Sequence, residues 1–337
     1  MTKIAIIDME FHKKTKSFDF LLDIIRQCGD VSFFYDDSLT WWGKHTGYLT
    51  QHFDIYIYLQ IYPTRYDLRC LKGKKIIFVP MYDGMVLHPF VWKWMSFWDV
   101  RILAFSTKIR DYFLSLWYKV LYTQYFLPPL AWEISHKKKT IYRRYRGSIT
   151  RDMVKRMLWS QYIDGLTIKN IPDPGYPKLS ISQEDQNKYH ITFIDTFYPT
   201  PVDAYKDLTS HSIYIAPRKQ EWIGMTMLES LSLWQCVIAN NDGTMNEYII
   251  HGENWILTDF SRETDLSDYE KIGDNAKTWY DEKHKEWEKK EHEIKVFFGE
   301  QWKNILSLWN IIISFIRYIV LVIVKSIVRK IGIAIKK

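Results

Sequence analysis

The sequence predicts an α/β protein: two domains, each a parallel sheet covered by helices, followed by a charged helix and a C-terminal amphipathic, membrane-associated helix. Three observations predict this. Short apolar runs alternate with helix-like segments from residue 3 onward, the pattern of parallel strands joined by crossover helices. The alternation breaks at Pro128 and Pro129 and the cationic stretch His136 to Lys139, because paired prolines continue neither a helix nor a central strand. The chain has 337 residues, too many for one ordinary core at roughly 150 residues per domain. The expected divisions are 1–132, 133–274, a charged helix over 275–300 and a basic tail over 301–337.

In the first domain the strand-like runs are Lys3 to Met9, Val31 to Tyr35, Phe53 to Ile61, Lys75 to Pro80 and Val100 to Ser106, with helices over Phe18 to Cys28 and Lys108 to Val120. Residues 1–9 lack the charged region, long apolar core and small-residue cleavage site of a signal peptide. In the second domain the runs are Thr140 to Tyr142, Gly165 to Ile168, His190 to Asp195, Ser212 to Ala216, Cys236 to Ala239 and Trp255 to Thr258, with helices from about Ser148 and after Gly224. Asn275 to Lys295 is mostly charged and reads as a solvated helix with ion pairs three and four apart.

The tail changes character. Between Ile305 and Val324 the residues are apolar apart from Asn310, two serines and Arg317, a length near the roughly 20 residues that span a bilayer. At helical spacing Lys303, Ser307, Asn310, Ser314, Arg317 and Lys325 form one narrow stripe. A central Arg in a lone spanning helix costs about 2.5–3.5 kcal/mol, whereas a helix in the interface keeps it hydrated, so the reading favours peripheral attachment. Lys325, Arg329, Lys330, Lys336 and Lys337 would meet an anionic membrane surface. A core helix packed on the globule is the plainer alternative.

Composition narrows the function classes. At 47% hydrophobic and 17% aromatic, the chain buries too much apolar surface for general disorder. The 15 Trp and 23 Tyr exceed what a core needs and suit wet interfaces such as sugar clefts and membrane headgroup zones. A net charge of +7 favours an anionic partner, which includes nucleic acid, acidic lipid and a phosphorylated substrate. Cys28, Cys70 and Cys236 are odd in number and widely spaced, which fits free thiols in a reducing compartment, hence a cytoplasmic location.

The chemistry concentrates in Ile213 to Leu257. A strand ends at Ala216 and Pro217, a loop carries Arg218, Lys219 and Glu221, and Gly224 opens a helix containing Met225, Thr226 and Glu229. A helix amino terminus at the carboxyl edge of a parallel sheet is a phosphate site. A carboxylate one turn inside, Glu229, can accept both hydroxyls of a ribose diol. Glu221 is placed to bind hydroxyls of a transferred sugar. A plainer reading stands beside this one: Thr226 with Glu229, and Thr244 with Glu247, both have the spacing of a capping box.

This segment resembles the donor half of glycosyltransferase family 4 (group 1), with its P-S/R-x-x-E-x-x-G-x-x-x-L-E pattern; Glu221 and Glu229 bracket seven residues, as that E-x7-E motif requires. The resemblance implies the GT-B fold, two Rossmann-like domains facing a cleft, with acceptor binding in the first and donor binding in the second. It implies that Glu221 contacts the donor sugar and Glu229 the ribose, and that Asp242, Gly243 and Thr244 form the loop beside sugar and diphosphate. Arg143, Arg144, Arg146 and Gly147 occupy the place of the family's basic turn; among them Arg146, with Gly147 and a helix cap at Ser148, is the expected diphosphate contact. Trp222 and Gln235 stand where the family commonly has Gly, and Glu10 to Thr15 replace its glycine-rich first loop.

In the first domain, Tyr82, Asp83 and His88 follow the fourth strand, and Asp83 is the candidate to orient an acceptor hydroxyl; a turn Asp before Gly is also a common structural device. His12 and His136 are weaker candidates. No metal site or resident cofactor is expected. The leading expectation is a metal-independent, hexosyltransferase-like enzyme that moves a sugar, with retention, from a nucleotide-sugar donor to a glycan or lipid-linked acceptor in bacterial surface polysaccharide or lipopolysaccharide synthesis, peripheral to the cytoplasmic face of the inner membrane. The alternative is a catalytically silent sugar- or nucleotide-binding subunit that anchors a partner transferase. Nucleic acid is not an expected partner, since charge alone suggests it.

Overall fold

The computed structural model describes residues 1–10, 12–35, 47–82, 99–132, 138–147, 149–158, 162–172, 176–216, 218–219, 221–241 and 244–299. The tail from residue 300 therefore lies outside the described residues, as do Asp83, His88, His136, Ser148, Asp242 and Gly243. Among the described residues no helix is long and apolar enough to cross a membrane. The chain divides into two compact units; one comprises residues 1–104, 109–121 and the described residues from 293, the other residues 105–108 and 122–292.

The first unit holds β1 (Lys3–Asp8), α1 (His12–Thr15), α2 (Asp19–Arg26), β2 (Asp30–Tyr35), β3 (Ile55–Leu59), α3 (Arg65–Cys70), β4 (Lys75–Val79), β5 (Val100–Ala104), most of α4 (Thr107–Ser115) and β6 (Lys119–Tyr122). Its sheet runs in the order β2-β1-β3-β4-β5-β6, and β2 through β5 pair in parallel. Strands covered on both faces need apolar side chains on both, and every residue of β3, IYIYL, is buried. Helix α2 buries Leu21, Leu22, Ile24 and Ile25 on one face. Helix α3 starts on a capping box: the Thr64 hydroxyl accepts from the Asp67 amide at 3.2 Å, and Asp67 accepts from the Thr64 amide at 2.7 Å.

The second unit holds β7 (Thr140–Arg144), α5 (Arg151–Met157), β8 (Gly165–Lys169), α6 (Gln183–Lys188), β9 (Ile191–Ile194), α7 (Pro201–Thr209), β10 (Ile213–Ile215), α8 (Met225–Ser232), β11 (Cys236–Asn240) and β12 (Ile256–Thr258). The sheet order is β12-β11-β10-β7-β8-β9, and every adjacent pair is parallel. Counted within this unit the order is three-two-one-four-five-six, that of a dinucleotide-binding sheet, and chain direction across the sheet reverses between β7 and β10. The core on one face of this sheet includes Ile141, Ile149, Val154, Ile168, Ile215 and Ile238.

Two local expectations change. Helix α5 begins at Arg151, capped by Thr150, whose hydroxyl accepts from the Met153 amide at 3.4 Å; the cap is not Ser148. The charged helix is α9 (Tyr269–Gly299), and it is not solvated all round. It makes the expected ion pairs, Lys277 with Asp281 and Lys283 with Glu286, but buries Ala276, Tyr280, Trp287, Ile294 and Phe298 along one stripe. The Tyr280 hydroxyl donates to the Leu127 carbonyl at 2.9 Å, and the Trp287 ring meets Tyr125 edge-on at 5.0 Å. A few large aromatics outweigh many charges, because each buries far more area than an aliphatic side chain.

Candidate functional site

In an open parallel sheet the ligand crevice lies outside the carboxyl ends of the strands where the order reverses. In the second unit that point is between β7, ending at Arg144, and β10, whose continuation passes through Ala216 to the loop before α8. The loop turns into α8 at Gly224, whose φ of 71° is left-handed. A Cβ there would lie 3.4 Å from both the Glu221 and Met227 side chains, so both backbone angle and space favour glycine. Gly224 is the cap of α8 and supplies no side-chain bond to it, which leaves the positive end of the helix for an outside acceptor.

Neither expected capping box forms. Thr226 lies inside the first turn of α8, beyond the cap at Gly224, so its hydroxyl has no cap position to fill. The Glu229 carboxylate accepts from the Tyr205 hydroxyl at 3.2 Å. Burial raises the Glu229 pKa, opposed by the hydroxyls of Tyr205 and Thr226 and by the Arg144 guanidinium. Thr244 donates to the Glu221 carbonyl and, at 3.1 Å, to the Trp222 carbonyl, stitching its own loop to the loop before α8. Glu247 accepts from the amides of Thr107 and Lys108 at 2.6 and 3.2 Å, capping the start of α4 within the second unit.

Glu221 accepts at one carboxylate oxygen from Arg218 and from the Trp222 amide, both at 3.3 Å. Lys219 is exposed, and its carbonyl accepts from Asn240 at 3.4 Å. Two residues that depart from the family pattern have structural work. The Trp222 ring is buried edge-on against Phe105 at 5.5 Å. Gln235, fully buried, donates to the carbonyls of Leu208 and His211, each at 2.8 Å.

The basic turn places a second arginine beside Arg146, the expected diphosphate contact. Arg144 is the last residue of β7, and its Nε is buried with no hydrogen-bond partner. Burial lowers its pKa and so does Arg146, while Tyr214, Tyr142 and Glu221 act in the opposite sense. Arg146 is thus close enough to repel Arg144, and Arg144 is close enough to Glu221 and Glu229 to interact with both. Gly147 has a φ of 100°, and a Cβ there would lie 2.5 Å from the Tyr176 ring.

Lys169, the last residue of β8, was absent from the sequence expectations. It is the register partner of Arg144, is 9% exposed, and sits with its ammonium 3.9 Å from the Tyr198 ring centroid. Burial, then repulsion by Arg144, brings its pKa down to about 8, against the attraction of Asp207. The Tyr198 hydroxyl is engaged with Asp207 and stands 3.3 Å from the Tyr142 hydroxyl. Among the described residues neither Arg144 nor Lys169 has a carboxylate ion pair, so two desolvated cations share the strand ends. The signal available in sequence was positional: a charged residue closing an otherwise apolar strand run.

Comparison with solved structures gives the fold a name. The chain resembles sucrose-phosphate synthase from Thermosynechococcus elongatus with a TM-score of 0.64 at 12% identity, over 88% of this chain and 98% of that one. It resembles the lipopolysaccharide outer core galactosyltransferase WaaB with a TM-score of 0.62 at 11% identity, over 88% and 99% of the two chains. Anabaena HepE, solved in complex with UDP-glucose, gives a TM-score of 0.57 at 11% identity, over 87% and 99%. The fold is GT-B. No protein-family model matches the sequence, and comparison with curated proteins finds no match. Among the described residues of this GT-B chain no group of three or more His, Cys, Asp or Glu could hold a metal ion.

Proposed function

We propose that the protein is a glycosyltransferase that takes a hexose-type sugar from a nucleotide diphosphate sugar. The observation that carries this reading is the pairing of two desolvated cations, Arg144 and Lys169, with the Gly224-capped start of α8 and the carboxylate of Glu229 at one sheet edge. Arg144, Lys169 and the first amides of α8 neutralise the diphosphate, which becomes the leaving group. Glu229 accepts the ribose hydroxyls, and Glu221, with Thr244 holding its backbone, accepts hydroxyls of the sugar. Asp242 and Gly243 complete that loop, and Asp83 orients the acceptor hydroxyl. Catalysis is then electrostatic and positional, without a protein nucleophile and without a metal.

The solved HepE complexes hold UDP, glucose or UDP-glucose, and this supports uridine diphosphate as the first donor nucleotide to try. The basic tail supports a lipid-linked glycan acceptor met at the cytoplasmic face of a bacterial membrane, with retention of configuration at the transferred sugar. The decisive experiment incubates the full chain with labelled nucleotide sugars and a polyprenyl-diphosphate glycan, with and without chelator. Transfer that survives chelation is expected. Donor binding without transfer to any lipid or glycan acceptor points instead to a silent binding subunit.

A further inference from the structure

Lys169 has an aromatic ring where a carboxylate partner would be expected. Its ammonium stands 3.9 Å from the Tyr198 ring centroid and 5.8 Å from that of Phe197. Both rings belong to the loop between β9 and α7, and the helix that follows is started by the Thr200 cap and by Pro201 in its first turn. On α7, nine residues beyond Tyr198, lies Asp207, the carboxylate whose charge attracts Lys169. Asp207 nevertheless makes no ion pair among the described residues.

Its carboxylate accepts instead from the Tyr198 hydroxyl. A phenol has one proton to give, and with that proton spent on Asp207 the Tyr198 oxygen is left to accept from the Tyr142 hydroxyl, 3.3 Å away. Tyr198 is therefore pinned at its oxygen by groups on α7 and β7, while its ring meets the ammonium. A ring quadrupole attracts a cation without taking its N–H groups in strong hydrogen bonds, as a carboxylate does. The donors of Lys169 thus stay available to an incoming anion, whereas a carboxylate partner would first have to be displaced.

We propose that Tyr198 is a positioning residue that keeps Asp207 off Lys169 and so holds the ammonium open to the donor diphosphate. The identity of that anion rests on the donor reading; the separation of Lys169 from Asp207 is a property of the free protein. Three neighbours bear on the charge of Lys169. Arg144, its register partner on β7, repels the ammonium, Asp207 on α7 attracts it, and Ile194, its register partner on β9, is apolar. Freeing Asp207 from Tyr198 shifts this balance in one direction, toward the charged amine, and at the same time gives the diphosphate a competitor.

Two measurements on the full chain test this. The first follows Lys169 in the free protein by competitive acetylation across pH, read for its own peptide by mass spectrometry. The wild-type midpoint is expected at about 8. Tyr198→Phe keeps the ring and frees Asp207, and is expected to raise that midpoint by about one pH unit. Adding Asp207→Asn to Tyr198→Phe is expected to return it to the wild-type value or below. The second measures UDP binding by calorimetry at pH 7. Tyr198→Phe is expected to weaken it about tenfold, and the double variant to recover to within about twofold of wild type. A scaffold role alone would leave the double variant as weak as the single one. A midpoint unmoved or lowered in Tyr198→Phe, or no recovery in the double variant, would overturn the proposal. Absence of UDP binding by the wild type would remove the donor reading, while the acetylation midpoints still decide whether Tyr198 keeps Asp207 from Lys169.

Discussion

Arg144 and Lys169 are register partners at the carboxyl ends of adjacent parallel strands, so two cations leave the same face of one sheet side by side. Folding alone gives no reason for this, because both are desolvated and Arg144 disfavours the charge of Lys169. Removing one should therefore stabilise the protein while weakening its ligand. Arg144→Met is expected to leave the Tm unchanged or higher and to weaken UDP binding about 10- to 100-fold by calorimetry, the worth of a charge-assisted hydrogen bond. A lower Tm with unchanged affinity would sink the assignment.

The same pair sets a pH dependence. In the free protein Lys169 loses its proton near pH 8, below the ordinary lysine value, because burial and Arg144 disfavour its charge. A bound diphosphate favours the ammonium, so the complex keeps the proton to higher pH. Donor affinity is then flat below about pH 8 and falls above it, by at most about tenfold per pH unit. Lys169→Met is expected to bind more weakly at pH 7 and to flatten that limb. Titrations of UDP between pH 6.5 and 9.5 read both effects.

Glu229 carries a carboxylate whose charge burial disfavours, with Tyr205 donating to it. Glu229→Gln keeps an oxygen for the Tyr205 hydroxyl and removes the charge, so the Tm should hold or rise. Its KM for the donor should increase about tenfold, because a neutral amide is a weaker acceptor for a ribose diol. Glu229→Ala should lose most of the turnover; normal turnover in that variant would remove Glu229 from the site.

Glu247 shares the donor-half segment but has a different task, accepting the Thr107 and Lys108 amides. Glu247→Ala leaves two helix-start donors without that carboxylate and is expected to cost about 1–2 kcal/mol of stability, read by chemical denaturation. Donor KM should be unchanged in the folded fraction.

Much of the architecture was legible because apolar strands and amphipathic helices write their periods directly into the sequence. All six strands of the second sheet fall where apolar runs predict them, and Gly224 announces the start of α8. The candidate site was legible where a motif fixes spacing, which singled out Glu221 and Glu229. Local rules misled where a tertiary partner was in play: Thr226 and Thr244 have capping spacing, but a left-handed glycine and a distant pair of carbonyls claim those positions. Arg144 and Lys169 were harder to single out because which of several neighbouring basic residues reaches the crevice depends on strand register, which parallel pairing sets across distant segments. The stripe of α9 was hidden for a related reason, a few aromatics within a mostly charged run.

The single hydroxyl proton of Thr244 is shared between the carbonyls of Glu221 and Trp222. Two strand-to-helix turns are thereby made into one mechanical part. A change of loop length or residue type in either turn leaves the other without its anchor, so neither turn can be exchanged by itself. Successful grafts, natural or designed, should transplant residues 218–224 and 241–247 as a unit.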